Sequence, residues 1–278
     1  MRRVGDRGRG RALIAALLTS LVAIHASAQW RQRAIVRYPE ADRSYAEGFV
    51  FWRGQYDEVR YEWLGQGWFT DYPDSDVNFM IRLSQLTTVK IQEARGGGPE
   101  HIVLRLDDPR LFECPFFFMS DVGTIGISQS EAENLRHYLL SGGFLYVDDF
   151  WGSEAFDHWA REIATVLPPE DYPIVDIEPG HGIFTALYDV KEVPQIPSIQ
   201  YWNMSGGEGT SERGPDTREP HLRGIFDADG RLLVAMTHNT DIADGWEREG
   251  ESREFFEKFS LTKAYPFGIN LVVYSMSH

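Results

Sequence analysis

The sequence predicts an α/β fold: a mainly parallel sheet with helices on both faces, a three-layer sandwich. Three observations predict it. Phe116 to Met119 is an unbroken apolar run, as expected for a strand buried on both faces. Ser128 followed by Glu131 is a capping box, in which the hydroxyl accepts from an early helix amide and the carboxylate reaches back to the Ser128 amide. Ala132, Leu135, Tyr138 and Leu139 continue as an apolar stripe until Gly142-Gly143, where only glycine takes the left-handed conformation cheaply. Phe144-Leu145-Tyr146-Val147 follows at once as a strand, and Gly152-Ser153 opens a helix through Phe156, Trp159, Ile163 and Leu167. Strand, helix, strand, helix in that order implies parallel pairing with helical crossovers.

The remaining elements are read in chain order. Gln29 to Glu47 is polar and aperiodic and reads as a flexible leader, with one α/β domain over residues 48–278. Phe49 to Arg53 begins that domain as a strand, and Tyr56 to Tyr72, rich in aromatics and glycine, reads as strand and loop. Asp74 or Ser75 caps a helix with apolar residues at Val77, Met80, Ile81, Leu83 and Leu86. Short strands follow at Thr87–Ile91 and, beyond the break at Gly96-Gly97-Gly98-Pro99, at His101–Leu106. Pro194 to Leu222 carries many glycines, prolines and charges, and a loop of that size is either a lid or a disordered insertion. Gly230-Arg231 turns a hairpin into Leu232–Met236, and helices at about Ser252–Lys263 and Phe267–Met276 close the chain.

The first 28 residues have the three parts of an export signal: five arginines by Arg11, an apolar run Ala12–Ile24, and Ala26-Ser27-Ala28 as a cleavage site. The expectation is an exported, periplasmic or extracellular protein whose mature chain starts at Gln29 and has no membrane span. Removing residues 1–28 takes five of 27 basic residues and one of 42 acidic ones, deepening the formal charge from −15 to −19. So acidic a surface repels nucleic acid and anionic lipid. Cys114 is the only cysteine, which excludes an intramolecular disulfide, and its place before an apolar strand favours packing over nucleophilic chemistry.

Ligands of open parallel sheets bind beyond the carboxyl ends of the strands. Four exits carry polar residues: Asp107-Asp108, Ser120-Asp121, Asp148-Asp149 and His238-Asn239 with Asp241. Their convergence would set carboxylates and an imidazole round one cleft, able to bind a divalent cation, to act as acid and base, or to hydrogen-bond sugar hydroxyls. Trp246, among Asp241, Asp244 and Glu247, could serve as a sugar-stacking platform. The bland readings are equally concrete. Asp148 or Asp149 could cap the next helix, Asp107-Asp108-Pro109 and His181 could belong to turns, and the acids round Trp246 could be a solvated loop. The candidate cleft is thus Asp121, Asp148, Asp149, His238, Asn239, Asp241 and Trp246. No zinc spacing, phosphate loop or nucleophile elbow appears.

Several segments in order carry a resemblance: Thr70-Asp71-Tyr72-Pro73, Val103-Leu104-Arg105-Leu106 to Asp108-Pro109, and Tyr138 to Leu145 with its Gly142-Gly143. They continue with Asp148-Asp149-Phe150-Trp151-Gly152, His181-Gly182-Ile183-Phe184, Gly245-Trp246-Glu247 and Gly268 to Tyr274. Together they resemble a bacterial family of exported or membrane-linked proteins known as domain of unknown function 4159. The resemblance implies a divergent class I glutamine amidotransferase-like fold with a flavodoxin-like parallel sheet. In amidotransferases the strand after the Gly-Gly turn leads to a nucleophilic cysteine; here that stretch reads Tyr146 to Gly152, and Cys114 lies far upstream. Cys-His transferase chemistry is therefore not expected. The expected function is a binding or accessory domain for a polar small molecule or glycan, with no cofactor evident beyond a divalent cation. The alternatives are a hydrolase of glycans or related polar substrates, using Asp148, Asp149 and His238, and a structural partner of an envelope assembly.

Overall fold

The structure, a computed structural model, describes residues 35–62 and 65–277; the expected signal peptide and its cleavage site lie outside the described residues. In chain order come β1 (Phe51–Gln55), β2 (Asp57–Glu58), α1 (Asp74–Leu86), β3 (His101–Arg105), β4 (Phe117–Ser120) and β5 (Ile125–Gly126). Then follow α2 (Gln129–Leu140), β6 (Leu145–Phe150), α3 (Gly152–Val166), β7 (Ile174–Asp176), α4 (Ile199–Met204), β8 (His221–Phe226) and β9 (Leu232–His238). The chain ends with α5 (Asp244–Glu247), α6 (Arg253–Phe255), a π-helical stretch Phe256–Ala264, and α7 (Tyr265–Ser277). None of the helices among the described residues is long and apolar enough to cross a membrane. Ile35 and Val36 belong to one unit and the chain from Arg37 onward to another.

The central sheet has seven strands in the order β3-β1-β4-β6-β9-β8-β7. The first five are parallel; β8 adds antiparallel to β9 through the hairpin at Gly230-Arg231, and β7 adds antiparallel to β8 at the edge. Numbered among themselves, the parallel strands run 2-1-3-4-5, the flavodoxin-like order. From β1 the chain steps outward to β3, then returns across β1 to β4, so the topological switch lies between the ends of β1 and β4.

Strand alternation divides the core into two layers. Phe51, Phe118, Tyr146 and Ala235 face α1, α5 and α7, where Phe79, Trp246 and Phe267 meet them. Trp52, Phe117, Met119, Val147 and Met236 face α2 and α3, against Leu135, Leu139, Trp159 and Ile163. Gly268 allows α7 its close approach, since a Cβ there would stand 2.4 Å from the Trp246 ring and 2.8 Å from that of Phe79. The capping box at Ser128 and Glu131 forms with both reciprocal bonds.

Three local expectations change. Thr87–Ile91 makes only a single bridge, Ile91 to Phe49, because β3 occupies the edge of β1. Residues 37–47, expected as a flexible leader, are tied to the domain. The Arg37 carbonyl accepts from the Val103 amide, Arg43 pairs with buried Glu100, and Tyr45 packs edge-on to Trp52 at 5.2 Å. Residues 194–222 are not a bare loop but contain α4 and a turn at Pro215–Thr217.

Cys114 is buried, and its thiol donates to the Phe116 carbonyl at 3.1 Å. Burial pushes the thiol well above its ordinary pKa, which removes the thiolate a nucleophile needs. Cys114→Ser is expected to cost about 1 kcal/mol in urea denaturation, the usual scale of a single substitution. Ligand binding should be unchanged, and its loss in the folded variant would contradict a packing role.

Candidate functional site

Three of the four central strands carry, at or just after their carboxyl ends, a non-glycine residue with positive φ, and the long connection from β1 carries a fourth. These are Asp71 (φ 64°) on the crossover from β1, Asp121 (φ 53°) after β4, Asp149 (φ 56°) within β6 and Asn239 (φ 62°) after β9. Asp and Asn tolerate this region better than other side-chain-bearing residues, yet four such positions at one end of one sheet carry strain that gathers at functional sites. At Asp149 the left-handed residue coincides with a shift in the β6–β9 register between Val147 and Phe150, and such bulges re-aim side chains.

Three of the carboxylates converge. Asp71, Asp149 and Asp241 can each present one oxygen such that all three lie within 4.8 Å of one another. Two oxygens on opposite sides of a calcium ion bonded at about 2.4 Å would be separated by about that distance. Asp149 Oδ1 accepts from Trp151 Nε1 at 2.9 Å and Asp241 Oδ1 from the Asp244 amide at 2.8 Å, leaving the second oxygen of each available. Asp71 Oδ2 is buried with no hydrogen-bond partner, and so is Asp121 Oδ1 nearby. A buried carboxylate oxygen without a donor is costly unless a cation or proton meets it.

The electrostatics agree with the geometry. Burial, then the charges of Asp121 and Asp71, hold Asp149 well above the usual carboxylate range; burial, then Asp149 and Asp71, do the same to Asp241. Asp71 is raised by burial and Glu247 against the pull of Arg53 and Arg248. Asp121 is pushed up to about 7 by burial and Glu62. The three ligand candidates repel one another, and an all-carboxylate set suits a hard divalent cation such as calcium, magnesium or manganese.

The family description Domain of unknown function (DUF4159) matches residues 56–276, a span that holds all of these acids. The chain belongs to the DUF4159 family. No curated protein matches it.

Within this DUF4159 domain the other predicted site residues have different tasks. Asp148 is a clamp: Oδ1 accepts from the Thr237 hydroxyl at 2.5 Å and Oδ2 from the Ala243 amide at 2.9 Å, so both oxygens are engaged. Neither Asp148 nor Asp149 caps α3. The Gly152 amide goes to Asn239 Oδ1 at 2.8 Å and the Ser153 amide to Asp216 at 2.7 Å. Asn239 also donates to the Glu219 carbonyl, so it ties loops together.

His238 does not join the acids. Strand alternation puts Thr237 on the face of Asp148 and His238 on the opposite one, between Phe150 and Phe156. Its Nδ1 meets Arg223 and its Nε2 the Gly152 carbonyl. Trp246 is fully buried, 4.5 Å from Phe79, and has no face open for stacking. The acids round it are not a solvated loop, since Asp241 and Asp244 are 4% and 2% exposed. Asp108 caps a turn by accepting from the Arg110 amide, and His181 does the same for the Ile183 amide.

Sequence reasoning missed Asp71. Its one signal was the Thr70-Asp71-Tyr72-Pro73 piece, and its place at the switch point follows only from the strand order. Also missed was the ring of paired charges: Glu62 held by Arg60 and Arg213, and Asp244 and Glu247 by Arg248. Because Asp244 already accepts from Arg248 and the Ile199 amide, the neighbouring trio Asp71, Asp244 and Glu247 is a built ion-pair network rather than a second open cation site.

Proposed function

We propose that this domain binds a hard divalent cation at Asp71, Asp149 and Asp241, and that the bound cation holds a polar ligand in the cleft at the strand exits. The reading is a binding module, acting outside the cytoplasm if the N-terminal segment is an export signal, where calcium sites of modest affinity suffice. One observation carries it: three carboxylates at one point, with Asp71 Oδ2 buried and unpartnered. Against the acid–base alternative, Asp148 has both oxygens engaged and His238 lies on the other face of the sheet, which leaves Asp149 alone of its three residues in the cluster.

Titration calorimetry of chelator-treated protein with calcium, magnesium and manganese chlorides tests this. The expected result is saturable binding of one ion, abolished in Asp71→Asn and Asp149→Asn, with a rise in melting temperature. At a free ion concentration about 100 times Kd the gain is about 2.7 kcal/mol. No heat and no thermal shift with any of the three ions would overturn the proposal.

A further inference from the structure

We propose that the ligand at this centre is a neutral polyhydroxyl compound, a saccharide or other polyol, which coordinates the cation through two neighbouring hydroxyls. The inference rests on the cation reading above and adds the class of ligand. Three carboxylates fill only part of the coordination of a hard cation, which takes six to eight oxygens. The open positions must be filled by water or by oxygens of a ligand.

What surrounds those positions selects the ligand. Outside the three ligating carboxylates, Asp121 Oδ1 is buried and unpartnered, and it is an acceptor. Glu212, whose charge acts on Asp149, adds another, with its Oε1 already accepting from the Ser198 amide. Every arginine of the neighbourhood is already engaged by the protein. Arg213 pairs with Glu62; Arg248 reaches Asp244, Glu247 and Glu251; Arg53 is taken by Asp76, Ser75 and the carbonyls of Trp68 and Thr70. A phosphate or carboxylate ligand would meet the cation but also Asp71, Asp121, Asp149 and Glu212, an excess of acids over Arg213, the one guanidinium whose charge acts on Asp149 and Asp121 and whose Nε and Nη2 are not taken by Glu62. An amine would compete with the cation for the same carboxylates.

A hydroxyl meets both demands. Its lone pair ligates the cation while its proton goes to an acceptor-only carboxylate, and coordination makes that proton a better donor. Two hydroxyls on adjacent carbons fit neighbouring positions on an ion whose ligands sit at about 2.4 Å. Asp121 is the residue placed to receive one of these protons: its Oδ2 is held by the Gly67 amide at 2.8 Å while Oδ1 stays free.

The test uses the calcium-loaded protein, with methyl α-mannopyranoside and sorbitol as neutral probes, glucuronate and glucose 6-phosphate as anionic ones, and spermidine as the cationic one. Calorimetry and saturation-transfer NMR are expected to show the neutral probes binding at least about tenfold more tightly than the charged ones, with loss of binding in EDTA. Asp121→Asn, which leaves the three ligating carboxylates in place, should weaken the neutral probes about fivefold or more beyond any change in calcium affinity measured on the same variant. Calcium binding without any neutral-polyol binding, or tighter binding of an anionic probe, would overturn this inference and leave the cation reading standing. Spermidine bound in EDTA by a protein that does not bind calcium would overturn both.

Discussion

Arg53→Met is expected to cost the domain about 3–5 kcal/mol of stability. Arg53 and Asp76 are both fully buried, joined through Nε to the two carboxylate oxygens at 3.1 Å and through Nη2 to Oδ1 at 2.5 Å. The rest of the guanidinium donates to the Trp68 and Thr70 carbonyls and to Ser75 Oγ. Removing one partner strands a buried charge, which costs about 3–5 kcal/mol, a large part of a typical 5–15 kcal/mol stability. The same bonds fix residues 68–76, and hence Asp71 between them. Circular dichroism and urea denaturation measure the loss. Arg53→Met with Asp76→Leu should recover part of it, since an apolar pair leaves no charge unsatisfied. A single variant as stable as wild type would show that the pair does not hold this segment.

The second large effect is a reversed pH dependence of the metal-free protein. Burial raises Asp121 and Asp148 to about 7 and Asp244 to about 8, and raises Asp71, Asp149 and Asp241 as well. A carboxyl with a raised folded pKa binds more protons folded than unfolded between the two values. Its cost is therefore absent below about pH 4 and grows as pH rises towards 7 or 8. One isolated group raised by about three units contributes about 4 kcal/mol; groups that share protons contribute less than their sum.

His238 acts in the opposite sense. Burial, with Arg223 beside it, holds the imidazole down to about 4, so the folded state loses stability as pH falls from 6.5 towards 4. Metal-free protein should thus be most stable at mildly acidic pH, and calcium should restore stability increasingly towards pH 8, where it replaces protons. Asp149→Asn should raise metal-free stability by about 1–2 kcal/mol at pH 8 and abolish the calcium response. Thermal melts from pH 4 to 8, with EDTA and with calcium, check this. A metal-free stability that climbs steadily to pH 8 would contradict the carboxyl shifts.

The sequence by itself determined the elements whose causes are local. The capping box at Ser128 and Glu131, the Gly142-Gly143 stop and the unbroken Phe116–Met119 strand act through neighbours a few residues apart, and so the α/β class was legible. The rule that ligands gather at strand exits also brought out Asp121, Asp149 and Asp241. The tertiary structure decided which exits converge. His238 and Asp148 lie close in the sheet yet face opposite layers, because the pleat alternates. Asp149 is re-aimed only by the irregularity where β6 meets β9. Asp71, about 80 residues before Asp149 and 170 before Asp241, joins them because the chain crosses back over β1 to β4 and sets its crossover at the switch point. Strand order is a property of the whole sheet, and a local pattern of residues carries no record of it.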